Sequence, residues 1–514
     1  MAEQSAFDVV IVGGGPGGYP AAIRAAQYGL RVAVIEKERP GGVCLNWGCI
    51  PTKAMLRSAE VLELVQHSAD FGVAAEHVRL DYPAVLKRKD TIVKSLTDGV
   101  GQLLKANGVT VYAGHARFTA PALIDVVGVG KSPLGAGGPL YNAPADGVGQ
   151  PTARLAAKQV IIATGSTPAQ LPIPGSDLPG VINSDGAFML KEVPKHIVII
   201  GGGAVGTEWA TMFAAFGAEV TLVELLPSLL PLEDEDMGRA LSRSFQKRGM
   251  KVLTSSTVAR IAEGGTKKSP ALKVTITDKD GKNEQLVDCD NVLIGVSRRP
   301  NTLDLNLEKT GVQTDERGYI TVDDQLRTNV QNVFAVGDVV GKIQLAHVAT
   351  HQGLVTAGVI AGHDERMDYK AVPAATFTHP EVASVGLTEA QAREAGHDVV
   401  AGRFPFAALG RAQTYGNTDG LIKVVADKKY GEILGVHIIG PSASDLIPEA
   451  VLALQLEATL EDVANTIHAH PTLGEGSMES AMVALGLPVH IGPPRRAAGS
   501  PAPRPQPAAP AGAR

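Results

Sequence analysis

Two cysteines, Cys44 and Cys49, stand five positions apart in the segment G-G-V-C-L-N-W-G-C-I-P-T-K, which runs from Gly41 to Lys53. Two thiols this close can cycle between dithiol and disulfide. Joining them needs alpha carbons within about 7 Å, whereas five extended steps span roughly 17 Å. The segment must therefore fold back, and Gly48 eases the bend. So small a ring would contribute only about 2 kcal/mol through loop entropy, and a chain of 514 residues can bury a large core without it. The structural alternative is a pair of packed thiols in an apolar loop. Pro51 and Thr52 lead into A-M-L-R-S-A-E-V-L-E-L-V-Q, which predicts a helix starting at or just before Cys49. A thiol there has its thiolate stabilised by the helix dipole. A zinc site would want two further ligands, and no second Cys or His cluster lies near. Cys289 stands alone in a strand-like stretch and reads as packed.

Residues Phe7 to Lys37 read as strand, glycine-rich turn, helix and strand. Gly13, Gly15 and Gly18 hold the G-x-G-x-x-G spacing, and the second strand ends in Glu36. The glycines let the backbone approach a pyrophosphate at the helix N-terminus, and the acid can take a ribose hydroxyl pair. Pro20 falls early in the helix, where only the first turn accepts it well. The unit recurs as H-I-V-I-I-G-G-G-A-V-G-T-E-W-A, with Gly201, Gly203, Gly206 and Glu224. Gly13 and Gly201, Gly18 and Gly206, Gly29 and Gly217, Glu36 and Glu224 are all separated by 188 positions. Two units in register imply two dinucleotide sites, and with a dithiol between them they suit electron transfer.

Between the units a long helical region is expected from Ala54 to Asn107, then short strands around V-T-V-Y-A-G-H-A-R-F. Residues 128–150 are rich in Gly, Pro and Ala and read as a mobile surface excursion. A strand ends at Thr164, Gly165 and Ser166, a small-residue turn open to a ligand. Strands from Lys251 to Val296 follow, and a later strand ends in Gly337 and Asp338. From about Ala371 alternating strands and two helices form an α+β domain. It contains H-A-H-P-T-L-G-E, where His470 precedes Pro471 and Glu475 follows five on. This pair reads either as a base with its orienting carboxylate or as a surface histidine beside an unrelated acid. Residues 493–514, rich in Pro, Ala and Arg, read as a disordered tail.

Composition narrows the classes. The length suggests three or four domains, and a net charge of -6 offers no nucleic-acid surface. No apolar run reaches membrane-span length and no secretory signal pattern opens the chain, so a cytoplasmic protein is expected, with neither membrane nor nucleic acid as partner. In that compartment a close cysteine pair favours catalysis over a structural staple.

Together these motifs resemble the pyridine nucleotide-disulphide oxidoreductases over roughly residues 6 to 492. The resemblance implies an α/β fold with two Rossmann-like dinucleotide-binding domains, for FAD and NAD, plus a C-terminal α+β dimerisation domain. The implied limits are 1–167 and 297–370 for the FAD-binding parts, 168–296 for the NAD-binding domain and 371–492 for dimerisation. It implies FAD held by Gly13, Gly15, Gly18, Glu36, Lys53, Gly114, Thr164, Gly165, Ser166, Asp338, Gln344, Leu345, Ala346 and His347. NAD would fall to Gly201, Gly203, Gly206, Glu208, Glu224, Val258 and Gly295. Lys53 and Glu208 match a buried ion pair beside the flavin. Cys49 matches the thiol facing the flavin and Cys44 the one exchanging with substrate, with His470 and Glu475 as base and acid. The implied activity is oxidation of dihydrolipoamide by NAD⁺, on the lipoyl-bearing acyltransferase or carrier protein of a 2-oxo acid dehydrogenase complex. A homodimer is implied, with His470 serving the other subunit's cysteines. Related enzymes acting on glutathione or mercuric ion, and a non-catalytic redox-sensing flavoprotein, are the alternatives. Glu224 favours NAD over NADP. Two departures are Ser297, where the family usually has Gly, and Gly474, where it usually has Ser.

Overall fold

A computed structural model describes residues 4–129, 151–266 and 269–492. Most of the expected excursion and all of the expected tail lie outside the described residues.

The first sheet is built on Gln4–Val12, whose Val9 to Val12 are buried on both faces. Parallel to it on one side run Val32–Glu36 and then Thr110–Ala113, and on the other Ala153–Ile162. The long Ala153–Ile162 strand pairs antiparallel with Leu123–Val127 along its first half, and parallel with Val333–Ala335 along its last residues. Chain from beyond the second nucleotide unit thus returns to complete the first sheet.

The second sheet is parallel throughout, in the order Lys251–Leu253, Glu219–Val223, His196–Ile200, Asn291–Ile294, Val181–Asn183. Alternation along His196–Ile200 serves two cores. Ile197 and Ile199 meet Trp209 and Phe213 of helix Ala204–Ala215. Val198 and Ile200 meet Val258, Ile276 and Cys289 of an antiparallel three-stranded sheet on the other face. Cys289 is packed, as expected. The chain enters and leaves this unit through Ser166–Pro168 and Arg298–Pro300, which pair antiparallel. Ser297, just before the second of these, sits at φ 61°, a left-handed conformation that explains why glycine suits the position.

The C-terminal domain is an antiparallel sheet ordered Ala374–Thr376, Glu381–Gly386, Ile433–Gly440, Leu421–Asp427, Val399–Pro405, with Ala443–Gln455 and Glu475–Ala484 among its helices. The expected long helical region is corrected to two helices, Cys49–Gln66 and Tyr82–Ala106. Gly72 at φ 74° stops the first after a short 3₁₀ turn. Asp81 starts the second by accepting the Ala84 N–H at 3.0 Å, with Pro83 in the first turn. Pro20 lies in the first turn of Gly18–Gln27, where its missing N–H costs nothing. Among the described residues no helix is long and apolar enough to cross a membrane.

A buried charge cluster joins the C-terminal sheet to the second nucleotide unit. Lys423, 2% exposed, contacts Asp234 at 2.7 Å, Asp236 at 2.8 Å and Glu389 at 3.0 Å. Arg403 and Arg393 supply the remaining positive charge. Against burial, which pushes their carboxyls up, the cations hold Asp236 and Glu389 down at about 2. Depressed carboxylates contribute stability that is complete above the ordinary carboxyl pKa of ~4 and is lost as pH falls through ~2. Lys423→Met should therefore cost about 3 kcal/mol at neutral pH, because it strands buried carboxylates. The deficit should shrink between pH 4 and 2, as measured by denaturant unfolding at each pH.

Candidate active site

The thiol segment is placed by contact with the first glycine turn. Gly41 and Gly42 adopt φ 99° and 57°, and a Cβ on Gly42 would come within 2.6 Å of the Gly15 Cα. Only glycine lets the two turns touch. The short helix Gly42–Trp47 then ends at Gly48, and helix Cys49–Gln66 begins at once. The Asn46 side-chain amide donates to the carbonyls of Arg39, Pro40 and Gly42, and Trp47 Nε1 donates to Glu38 at 3.1 Å, fixing the bend.

Both thiols are free in this structure, and the side chains of Cys44 and Cys49 are close enough to act on each other's charge. The charge is divided unequally. The bond from Cys44 lowers Cys49 most; burial opposes it, and the Lys53 ammonium adds to it, bringing Cys49 down to about 7. Cys44 is pushed up by its bond to Cys49 and by burial. The direction favours the charge on Cys49, which also stands at a helix N-terminus, where a thiolate is stabilised.

The two nucleotide turns are alike in detail. Gly13 and Gly201 have φ of 104° and 108°. A Cβ on Gly18 would meet the Gly13 carbonyl at 1.9 Å, and one on Gly206 the Gly201 carbonyl at 1.8 Å. Glu36 accepts the N–H groups of Gly14 at 2.6 Å and Glu38 at 2.9 Å; Glu224 accepts those of Gly202 at 2.6 Å and Leu226 at 2.7 Å. Nothing lies within 4 Å of a Cβ built on Gly203 or Gly165, and Gly15 meets only Gly42. The Thr164 hydroxyl is buried with no partner. Open glycine cradles at both turns, with an orphaned hydroxyl beside the first, fit dinucleotides.

Lys53 and Glu208, from helices far apart in sequence, are joined at 2.8 and 2.9 Å. Ser166 Oγ donates to Asp338 and receives Arg298 Nε at 2.6 Å, tying the two linking strands to the returning segment. Gln344 donates to the Tyr319 hydroxyl, Leu345 and Ala346 open helix Ala346–Ile360, and His347 Nε2 lies 2.8 Å from the Pro373 carbonyl. The Gly114 N–H donates to the Glu36 carbonyl at 2.9 Å, so Gly114 lies at the end of the strand that carries Glu36. Gly295 lies against Gly206, whereas the Val258 side chain faces the core. Arg298 escaped the sequence reading, since Arg in R-R-P-N carries no local signal of its partners.

His470 is 76% exposed, and its Nδ1 pairs with Glu475 Oε1 at 2.8 Å. Burial pushes the Glu475 carboxyl up, but the Thr472 N–H at 2.8 Å and His470 outweigh it and hold the carboxyl below its usual range. The carboxylate begins helix Glu475–Ala484, which favours its charge.

Two nucleotide cradles and a thiol pair of unequal acidity on one α/β frame define a dinucleotide-linked redox protein. The chain belongs to the pyridine nucleotide-disulphide oxidoreductases: the family model matches residues 7–353, and that of the family's dimerisation domain matches 372–481. It is 44% identical to a dihydrolipoyl dehydrogenase of Geobacillus stearothermophilus, over 94% of this chain and 97% of that one. A dihydrolipoyl dehydrogenase of Chlamydia muridarum is 41% identical over 96% of this chain and all of its own length. The HOCl-induced flavoprotein disulfide reductase RclA of Escherichia coli, in a Cu(II) complex, superposes with a TM-score of 0.79 at 28% identity, covering 93% of this chain and 99% of that one.

Proposed function

We propose that this chain oxidises protein-bound dihydrolipoamide to lipoamide with NAD⁺ as acceptor, through a Cys44–Cys49 redox disulfide. The observation that carries this is the Cys44–Cys49 segment itself, held through Gly42 against the first nucleotide turn, with Cys49 at a helix N-terminus and Lys53 one turn further along that helix. The names of the relatives support the substrate. FAD fits the first turn, with Glu36 on a ribose and Thr164, Ser166 and Asp338 further along, and NAD fits the second, with Glu224. Bound flavin supplies a two-electron acceptor for the thiolate and a hydride donor for NAD⁺.

The protein's own residues do the rest. A substrate thiol loses its proton to His470 Nε2, and the thiolate attacks Cys44, releasing Cys49 as thiolate. The second substrate thiol then displaces Cys44, its proton passing to the departing Cys44 sulfur as the lipoamide disulfide closes. Cys49 keeps its charge because the Cys44 S–H and Lys53 stabilise it. Glu475 holds the imidazole in place and favours its protonated form.

His470 is open to solvent and so is free to serve the cysteines of a second copy. Association is supported by the dimerisation-domain match and by apolar side chains exposed on the same domain, among them Ile467 at 96%, Leu456 at 70% and Leu487 at 66%. A lipoyl-bearing acyltransferase or carrier protein is the proposed partner, and the cytoplasm the proposed location. The test is NAD⁺ and NADP⁺ reduction by dihydrolipoamide, beside glutathione and Hg²⁺ controls. Reduction of NAD⁺ by dihydrolipoamide is the expected result, since Glu224 would repel a 2′-phosphate. Preference for NADP⁺, or turnover only in the controls, would overturn the proposal.

A further inference from the structure

We propose that Phe377 is a positioning residue for the redox relay: its N–H and its ring together fix the Lys53–Glu208 pair, so that the C-terminal domain sets the charge environment of Cys49. The inference rests on the reading of Cys44 and Cys49 as the redox pair. Phe377 follows Ala374–Thr376, the edge strand of the C-terminal sheet, and packs into the core that surrounds helix Ala204–Ala215. Its N–H donates to Glu208 Oε1 at 3.0 Å, the same oxygen that receives Lys53 Nζ at 2.9 Å. Lys53 Nζ also lies 4.5 Å from the centroid of the Phe377 ring.

These contacts divide the donors and acceptors closely. Glu208 is nearly buried and takes three hydrogen bonds, two from Lys53 and one from the Phe377 backbone. The ammonium spends donors on the carboxylate and presents its remaining face to the ring, whose quadrupole favours it. Lysine has a flexible stem and a strong preference for water, so its ammonium holds one place only where several contacts fix it. Without the ring the ammonium keeps its bonds to Glu208 but loses the contact that fixes its other face, and it is held less closely. Lys53 and Glu208 act on Cys49 with opposite sign, the cation favouring the thiolate and the carboxylate opposing it. A displaced cation leaves the opposing charge in control.

The test uses the flavin-loaded protein carrying Cys44→Ser, so that Cys49 is the one thiol of the pair. The pH dependence of its alkylation by iodoacetamide is followed by peptide mass spectrometry. Phe377→Leu keeps the backbone N–H and removes the ring, whereas Phe377→Tyr keeps both. Phe377→Leu is expected to raise the alkylation midpoint by about one pH unit, a roughly tenfold loss of thiolate below it, and Phe377→Tyr to keep the parent midpoint. Should Phe377→Leu fail to fold, Phe377→Met replaces it with the same expectation. An unshifted midpoint in the folded ring-deleted variant, whatever its stability, would overturn the role given to Phe377. Such a result leaves dihydrolipoamide turnover by the protein with both cysteines intact untouched, so it is distinct from a failure of the proposed function.

Discussion

Cys49→Ser is expected to lower dihydrolipoamide oxidation by roughly a thousandfold or more while the protein keeps its flavin. Serine matches cysteine in size and can still accept a hydrogen bond from Cys44, so the bend at Gly48 and the packing of Gly42 on Gly15 should survive. Its hydroxyl stays protonated at neutral pH and forms no bond to sulfur, which removes both the disulfide and the thiolate that Lys53 stabilises. Steady-state turnover and the visible absorbance of the purified variant check the two halves of the expectation. Substantial turnover would contradict the role of Cys49, and loss of flavin would point to a damaged fold instead.

His470→Ala should cost roughly a hundredfold to ten-thousandfold in turnover, the range for loss of a positioned general base. The effect should come without loss of stability, because His470 is exposed and its pairing with Glu475 is local. The variant also distinguishes a site within one chain from a site shared by two. Mixed dimers of Cys49→Ser and His470→Ala chains contain one subunit with intact cysteines facing one intact His470. Co-expression should therefore restore about a quarter of wild-type activity, from one good site in the half of dimers that are mixed. If the site lies within one chain, no mixture recovers activity.

How much could be read from the sequence depended on how local the signal was. The 188-residue repeat was readable because each glycine and acid acts within its own strand, turn and helix, and the matched φ angles and carboxylate bonds of the two units follow from that. The helix beginning at Cys49 was readable for the same reason, whereas the residues around His470 and Glu475 left that pair open and only the family resemblance implied the bond the structure contains. The break between Gln66 and Tyr82 was not, because residues 72–81 keep an apolar spacing that mimics a helix while Gly72 and Asp81 end it. Contacts between Phe377 and Glu208, or Lys423 and Asp234, join residues 169 and 189 positions apart. No local spacing announces them, since a phenylalanine just after an edge strand and a lysine within a strand are ordinary in sequence. The Lys53–Glu208 pair was expected only through family resemblance, and the chain does bring the two together.

The pair's redox role is tested most directly by mass spectrometry of the peptide spanning residues 41–53, alkylated before and after one equivalent of dihydrolipoamide is added without NAD⁺. The air-equilibrated protein is expected to carry Cys44 joined to Cys49 and to take up no label. After dihydrolipoamide both sulfurs should be labelled, and lipoamide should appear in matching amount. Equal labelling of both cysteines in the two samples would contradict it, because electrons from the substrate would then bypass the thiols around which the site is built.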